Sequence, residues 1–209
     1  VLAYPARRNE MAKFTTDWIQ SAIRDGRGFV MNIGAFSTPI VGGGAGTVLD
    51  ADQPEGCISI PTNTTIIPIF AKIQCHVPLI AADSNESEIL LAADIAAANA
   101  GDGTATAETP VNMRPKYSRT SLCTCTSAYT ANTTAPTLGL EIDRAVATAD
   151  VQGTAANALW GMLALDYNPK TGFYQLDGPS ALYVYWGGTV ATSGFGQVGW
   201  LEFPTAYFA

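Results

Sequence analysis

The chain is poor in charge. Asp, Glu, Lys and Arg make up 14% of its 209 residues, against roughly a quarter in a typical soluble domain. The hydrophobic share is an ordinary 47%, so whole-chain disorder, which needs low hydrophobicity and high charge, is excluded. Long apolar runs are missing too. The longest stretch, Ile66 to Ile73, is broken by Pro68 and Lys72 and falls well short of the roughly 20 residues a membrane-spanning helix requires. Histidine is nearly absent, and the single His76 rules out metal sites built on several imidazoles. It sits beside Cys75 in a strand-like stretch, where neighbours point to opposite faces, so the two cannot form a nucleophile and its base. No G-x-S-x-G elbow is present. Four cysteines are too few to frame a chain of this length. Cys123 and Cys125 share a strand face without the spacing or second half of a zinc site. Buried free thiols are the expectation, with a Cys57–Cys75 or Cys75–Cys123 bridge left open. No catalytic, cofactor-binding or metal-ligating residue is assigned.

The formal charge is −7, and it is unevenly spread. Residues 1–27 carry five basic and three acidic groups, a net of +2; residues 28–209 carry six and fifteen, a net of −9. Such a body repels a phosphate backbone. Nucleic-acid contact is therefore expected to be at most weak and through the N-terminal arm, the other basic group being Arg114, Lys116 and Arg119. Two acidic clusters, Asp50, Asp52 and Glu55, and Asp83 with Asn85 and Ser87, offer oxygen ligands that calcium takes. Both lack the glycine and distal Glu of an EF-hand and read as solvated turns. The run from Gly42 to Gly46 lacks the Lys of a phosphate-cradling loop and reads as a hinge or close-packed turn. The sequence opens without Met and without the charged–apolar–small pattern of a signal peptide. Sequons at Asn63, Asn85 and Asn132 are what a threonine-rich chain produces by chance.

Met11, Phe14, Trp18, Ala22 and Ile23 recur at spacings of three and four, which predicts an amphipathic helix, with Asn9 as N-cap and Asp25-Gly26 as its stop. The helix packs on its own domain or docks on a neighbouring subunit; for the second reading the candidates are Met11, Phe14, Trp18, Ile19 and Ile23. After Gly28 the pattern turns to strands over Phe29–Phe36, Cys57–Ile60, Thr64–Val77, Ser87–Ile95, Thr120–Ser127, Thr137–Val146, Ala158–Asp166, Leu182–Trp186 and Val198–Tyr207. Ala92 to Ala100 is ambiguous between strand and helix. Helices do not follow the strands, which excludes a parallel α/β fold, and no repeat is visible. The expected class is all-β: a single jelly-roll β-sandwich of about eight to ten antiparallel strands over 28–209, preceded by an N-terminal arm with its helix over 1–27.

Glu141-Ile142-Asp143 places two carboxylates on one strand face about 6–7 Å apart. It resembles the E-x-D-x-E motif of laminarinase-type glycoside hydrolases, except that Ala145 stands where the final Glu belongs. Tyr174, Tyr183, Tyr185 and Trp186 would serve a carbohydrate-binding module or adhesin if their rings were exposed, and packing if buried. Low charge and an aromatic closing run from Trp200 to Phe208 predict that much of the outside is interface.

Three segments, Pro61 to Pro68 (Pro-Thr-Asn-Thr-Thr-Ile-Ile-Pro), Thr109 to Arg114 (Thr-Pro-Val-Asn-Met-Arg) and Trp200 to Pro204 (Trp-Leu-Glu-Phe-Pro), resemble strings in jelly-roll structural proteins of bacteriophage heads. The likeness runs from about residue 28 to 209, and it carries over no site residue. It implies a virion structural protein without catalysis, self-assembling into an icosahedral capsid or reinforcing one as a cement protein. Its partners would be copies of itself and other virion proteins, with no cofactor, and its place the virion, assembled in the host cytoplasm. The alternatives are the carbohydrate-binding module or adhesin, and the glycoside hydrolase using Glu141 and Asp143.

Overall fold

The segment Ser180–Gly188 is buried along its whole length, residue after residue. Its even positions Leu182, Val184 and Trp186 and its odd positions Ala181, Tyr183 and Tyr185 both carry large apolar groups, and side chains alternate across a strand. Both faces of this strand must therefore be covered. The computed structural model, which describes residues 14–35, 37–43, 49–79, 85–96, 103–131, 136–149, 159–170, 172–188 and 192–208, shows how. One helix, α1 (Phe14–Arg24), is followed by β1 (Gly28–Ile33), β2 (Ile40–Val41), β3 (Gly56–Ile60), β4 (Thr64–Leu79), β5 (Asn85–Asp94), β6 (Thr104–Glu108) and β7 (Val111–Asn112). Then come β8 (Thr124–Ala131), β9 (Leu140–Ala149), β10 (Leu159–Tyr167), β11 (Leu176–Asp177), β12 (Ser180–Gly188) and β13 (Ser193–Pro204), closed by a 3₁₀ turn over Thr205–Tyr207.

The strands form two antiparallel sheets. The first runs β10-β4-β13-β1-β7, with β2 and β11 attached at β13 and β4; the second runs β6-β8-β3-β12-β5-β9. Eight of the longer strands pair in nested fashion along the chain: β1 with β13, β3 with β12, β4 with β10, and β5 with β9. The inner faces meet in one core. Phe29, Met31, Ile73 and Trp200 from the first sheet pack with Ile58, Leu91, Val184 and Trp186 from the second. Outside the second sheet, Cys57, Leu90, Tyr183 and Tyr185 form another layer, covered by Leu49, Ala105 and Leu138. Outside the first, α1 lies on Ile67, Ile69, Leu201 and Phe203.

Strand positions follow the sequence reading to within a few residues, with local differences. β1 stops at Ile33, short of the expected end at Phe36, and the last strand stops at Pro204, where Thr205–Tyr207 turns into a 3₁₀ helix instead of continuing to Tyr207. The stretch from Thr120 is strand only from Thr124, because Leu122 and Ser121 turn aside to meet the Glu202 carboxylate. Ala92 to Asp94 belongs to β5, and residues 97–100 lie outside the described ones. The short strands β2, β6, β7 and β11 were not anticipated, since two to five residues hold too little periodicity to register.

Gly42 is a close-packed position, as its Cβ would fall 2.2 Å from the Trp186 carbonyl oxygen. Gly26 ends α1 at φ +69°, with Arg27 N–H donating to Ala22 O and Gly26 N–H to Ile23 O, both at 2.9 Å. Truncating the core side chain Leu91 to Ala should cost about 2–5 kcal/mol in urea unfolding. Met162→Ala, at a position 70% exposed, should change stability by no more than about 0.5 kcal/mol.

Candidate functional site

Of the helix residues named as interface candidates, Met11 lies outside the described residues and Phe14 is described only as the first residue of α1. Trp18, Ile19 and Ile23 are half-buried against the outer face of the first sheet, with Trp18 edge-on to Phe173 at 5.4 Å. The described part of the stripe that sequence periodicity detects, from Trp18 to Ile23, thus rests on its own sheet, while Gln20, Ser21 and Arg24 are exposed.

Three carboxylates do structural work out of solvent. Glu55 is 2% exposed. Gly43 N–H donates to one of its oxygens at 2.8 Å and Trp186 N–H to the other at 2.6 Å. It thereby ties the glycine loop after β2 to the end of β12. Burial pushes its carboxyl up to about 8, against the opposing pull of those two hydrogen bonds, and Asp50 adds repulsion. Glu202, fully buried, accepts from Ser121 Oγ at 2.7 Å and from Leu122 N–H at 3.1 Å. Asp94 accepts from Ala96 N–H and Thr137 N–H. The sequence signal for Glu202 was a lone acid inside the apolar string from Trp200 to Phe203, which binary patterning reads as a solvent-facing position.

The remaining candidates fall apart as sites. Asp50 is spent within its own loop, accepting from Asp52 N–H and Gln53 Nε2, and Asp83 lies outside the described residues. Among the described residues no three His, Cys, Asp or Glu side chains converge as metal ligands. All four cysteines are free and buried, and burial raises each thiol. Cys57 sits in the outer layer while Cys75 faces the core, which separates the first pair considered for a bridge.

His76 is exposed on the outer face of β4 opposite Met162 and Ser193, as alternation from Cys75 requires. Glu141 and Asp143 do not share a regular strand face. A register shift between Leu91 and Ala92 leaves Ile142 as the extra residue of β9. The shift brings Arg144 onto Glu141, with contacts of 2.7 and 3.1 Å, and onto Glu88. Hydrogen bonding from Arg144 holds the Glu141 carboxyl below its usual range, the opposite of what a general acid needs. The rings weighed for sugar are spent on packing: Tyr183, Tyr185 and Trp186 are at most 1% exposed, and Tyr174 is half-buried. A groove of about 720 Å³ beside β2 holds Glu108, whose carboxylate already accepts from Ser127 Oγ at 2.5 Å.

What stands out is an asymmetry between the two long sides of the sandwich. On one side the excursion between β5 and β9 extends both sheets and ends them in short strands, the two-residue β7 beyond β1 in the first and β8 with the five-residue β6 beyond β3 in the second. On the other, β9 pairs only with β5 and β10 only with β4 among the described residues. These two edge strands are ten and nine residues long. From Ala145 to Ala149, and from Leu159 to Leu165, they carry no charge and no proline. Edges that must stay single are blunted by such residues. The bulge at Ile142 and the Arg144 cluster protect only one end of β9.

Glu55 sets a pH dependence with a defined sign. Its folded-state carboxyl holds a proton up to about 8, whereas an unperturbed one releases it near 4.5. The burial penalty is therefore absent below pH 4.5 and complete above about 8. Stability should fall across that interval by on the order of a few kcal/mol, and Glu55→Gln should flatten the fall. Urea midpoints at several pH values check this; a wild-type midpoint that rises through the interval would contradict it.

No protein-family model, curated protein or solved structure matches this chain.

Proposed function

We propose that the protein is a self-assembling virion structural protein, a jelly-roll subunit that forms or reinforces an icosahedral shell. The observation that carries this reading is the nested strand order. A chain that pairs its first strand with its last, its second with the next to last, and so inward, is one long hairpin. Wound on itself, that hairpin gives two facing sheets of the jelly-roll type, an architecture shared by viral capsid and lectin domains. Here the pairs are β1–β13, β3–β12, β4–β10 and β5–β9.

The surfaces favour the structural member of that pair over the sugar-binding one. The aromatic residues of β12 are buried and cannot offer stacking faces to a saccharide. Along Ala145–Ala149 of β9 and Leu159–Leu165 of β10, the open side presents outward backbone donors and acceptors without a strand partner among the described residues, and no charge to repel a neighbour. A shell subunit needs such mating edges, and many weak repeated contacts add to strong assembly. The neighbours are copies of the chain itself, with other virion proteins as further partners.

Sedimentation velocity with electron microscopy of purified protein tests this. The expected result is large, regular, concentration-dependent particles; a species that stays monomeric at high concentration overturns it. Val146 is half-exposed on β9, so Val146→Lys should leave the thermal transition nearly unchanged while abolishing particles, because a lysine on an edge blocks strand pairing.

A further inference from the structure

The geometry points to a binding surface for single-stranded nucleic acid at the end of the sandwich where α1 meets β1 and β7. Eight Lys and Arg lie among the described residues, and five of them, Arg24, Arg27, Arg114, Lys116 and Arg119, gather at this end. They come from two segments about ninety residues apart, and specific bonds join those segments. Arg114 Nη1 donates to Arg24 O at 2.5 Å. Asn112 Nδ2 donates to Gly26 O at 2.9 Å and to Arg119 O at 3.2 Å. Met113 N–H donates to Gly28 O at 2.9 Å. The described acids in the same neighbourhood are Asp25, which is exposed, Glu202, which is buried with Arg119 Nη2 4.0 Å away, and Asp177, which accepts from Thr65 Oγ1 beside Thr205 at the start of the 3₁₀ turn. Five cations against three anions leave a net of +2 on a molecule that is acidic overall. The charge is thus segregated, with one basic end on an acidic body.

Aromatic faces interleave with these cations. A cleft of about 490 Å³ lies between α1 and the closing 3₁₀ turn, walled by Trp18, Arg24, Arg27, Phe203, Tyr207 and Phe208. Tyr207 is 69% and Phe208 40% exposed. Tyr207 stacks on Phe203, whose ring also carries the Arg27 guanidinium 5.2 Å from its centroid. Nearby, Tyr117 lies against Gly26, where a Cβ would fall 2.1 Å from its ring, and Arg114 sits over it at 5.1 Å. Cations that neutralise phosphates beside open π-faces that accept bases are the two requirements of single-strand binding. A duplex hides its base faces in its own stack and cannot use the aromatic half of this surface. An acidic peptide would use only the charged half.

This surface is independent of the shell reading, since dispersed subunits would bind through it. Fluorescence anisotropy of the full chain with a labelled oligothymidine of about 20 nucleotides tests it. The expected result is binding whose log K falls with log salt at a slope of about 2–3, the value for three or four neutralised phosphates on a single strand. The double substitution Arg24→Glu with Lys116→Glu, both at exposed positions, should weaken binding more than about tenfold and reduce that slope. Tyr207→Ala should weaken it about tenfold with the slope unchanged. Arg144→Glu, on β9 at the far edge of the second sheet, should change it least. No binding at about 50 mM salt, equal affinity for polyglutamate or for duplex DNA, or equal loss from the Arg144 reversal would each overturn the inference. Circular dichroism of each variant separates lost binding from lost fold.

Discussion

The last strand of the chain is wedged between the first and the longest, and everything else in the structure depends on that insertion. β13 pairs with β1 over six residues and with β4 over twelve positions. It presents Val198 and Trp200 to the core and Leu201 and Phe203 to the helix side. Trp200 packs beside Phe29, ring centroids 6.1 Å apart, so the two ends of the chain share one piece of the interior. Closing so long a loop costs entropy before any contact offsets it. The pairing is non-local throughout, the kind that folds slowly and leaves edges exposed meanwhile. Glu202 makes the insertion specific as well as apolar. Placed among hydrophobic neighbours on the same strand, it fixes Ser121 and Leu122 against β13, and a slip by one residue would bury its charge without partners.

Much of this was legible in the sequence, and what was not has physical reasons. Periodicity located the amphipathic stripe of α1 and most strands, because β-branched and aromatic runs punctuated by Gly, Pro and Asn are a local signal. Pairing is not local. Nothing in the composition of β3 or β12 says that they adjoin, so the nesting emerged only from the register. The bulge at Ile142 was equally hidden, and it undid the expectation that Glu141 and Asp143 share a face. Glu55 was visible as a member of an acidic loop. Its role as a buried tie for Gly43 and Trp186 depends on β12, some 130 residues away. The meeting of Arg24 and Arg27 with Arg114, Lys116 and Arg119 was unreadable for the same reason: both clusters were evident, their adjacency was not.

The surface then takes on an order that the low charge content alone did not foretell. One long side of the sandwich ends in the short strands β6 and β7, the other shows two long strand edges, and one end gathers the cations. A body that is acidic elsewhere keeps its copies from associating at random, while uncharged edges leave one geometry of approach free of repulsion. In the proposed shell, rigid packing between the sheets would make that approach reproducible, since cores at crystal-like density deform little.

Hydrogen–deuterium exchange at the backbone of β9 and β10, followed from dilute to concentrated protein, tests the central claim most directly. The account predicts that the amides of Ala145–Ala149 and Leu159–Leu165 that point away from β5 and β4 exchange readily when dilute and become protected as the protein associates, while β12 stays protected throughout. Association that leaves those two strands exchanging at their dilute rates would contradict it.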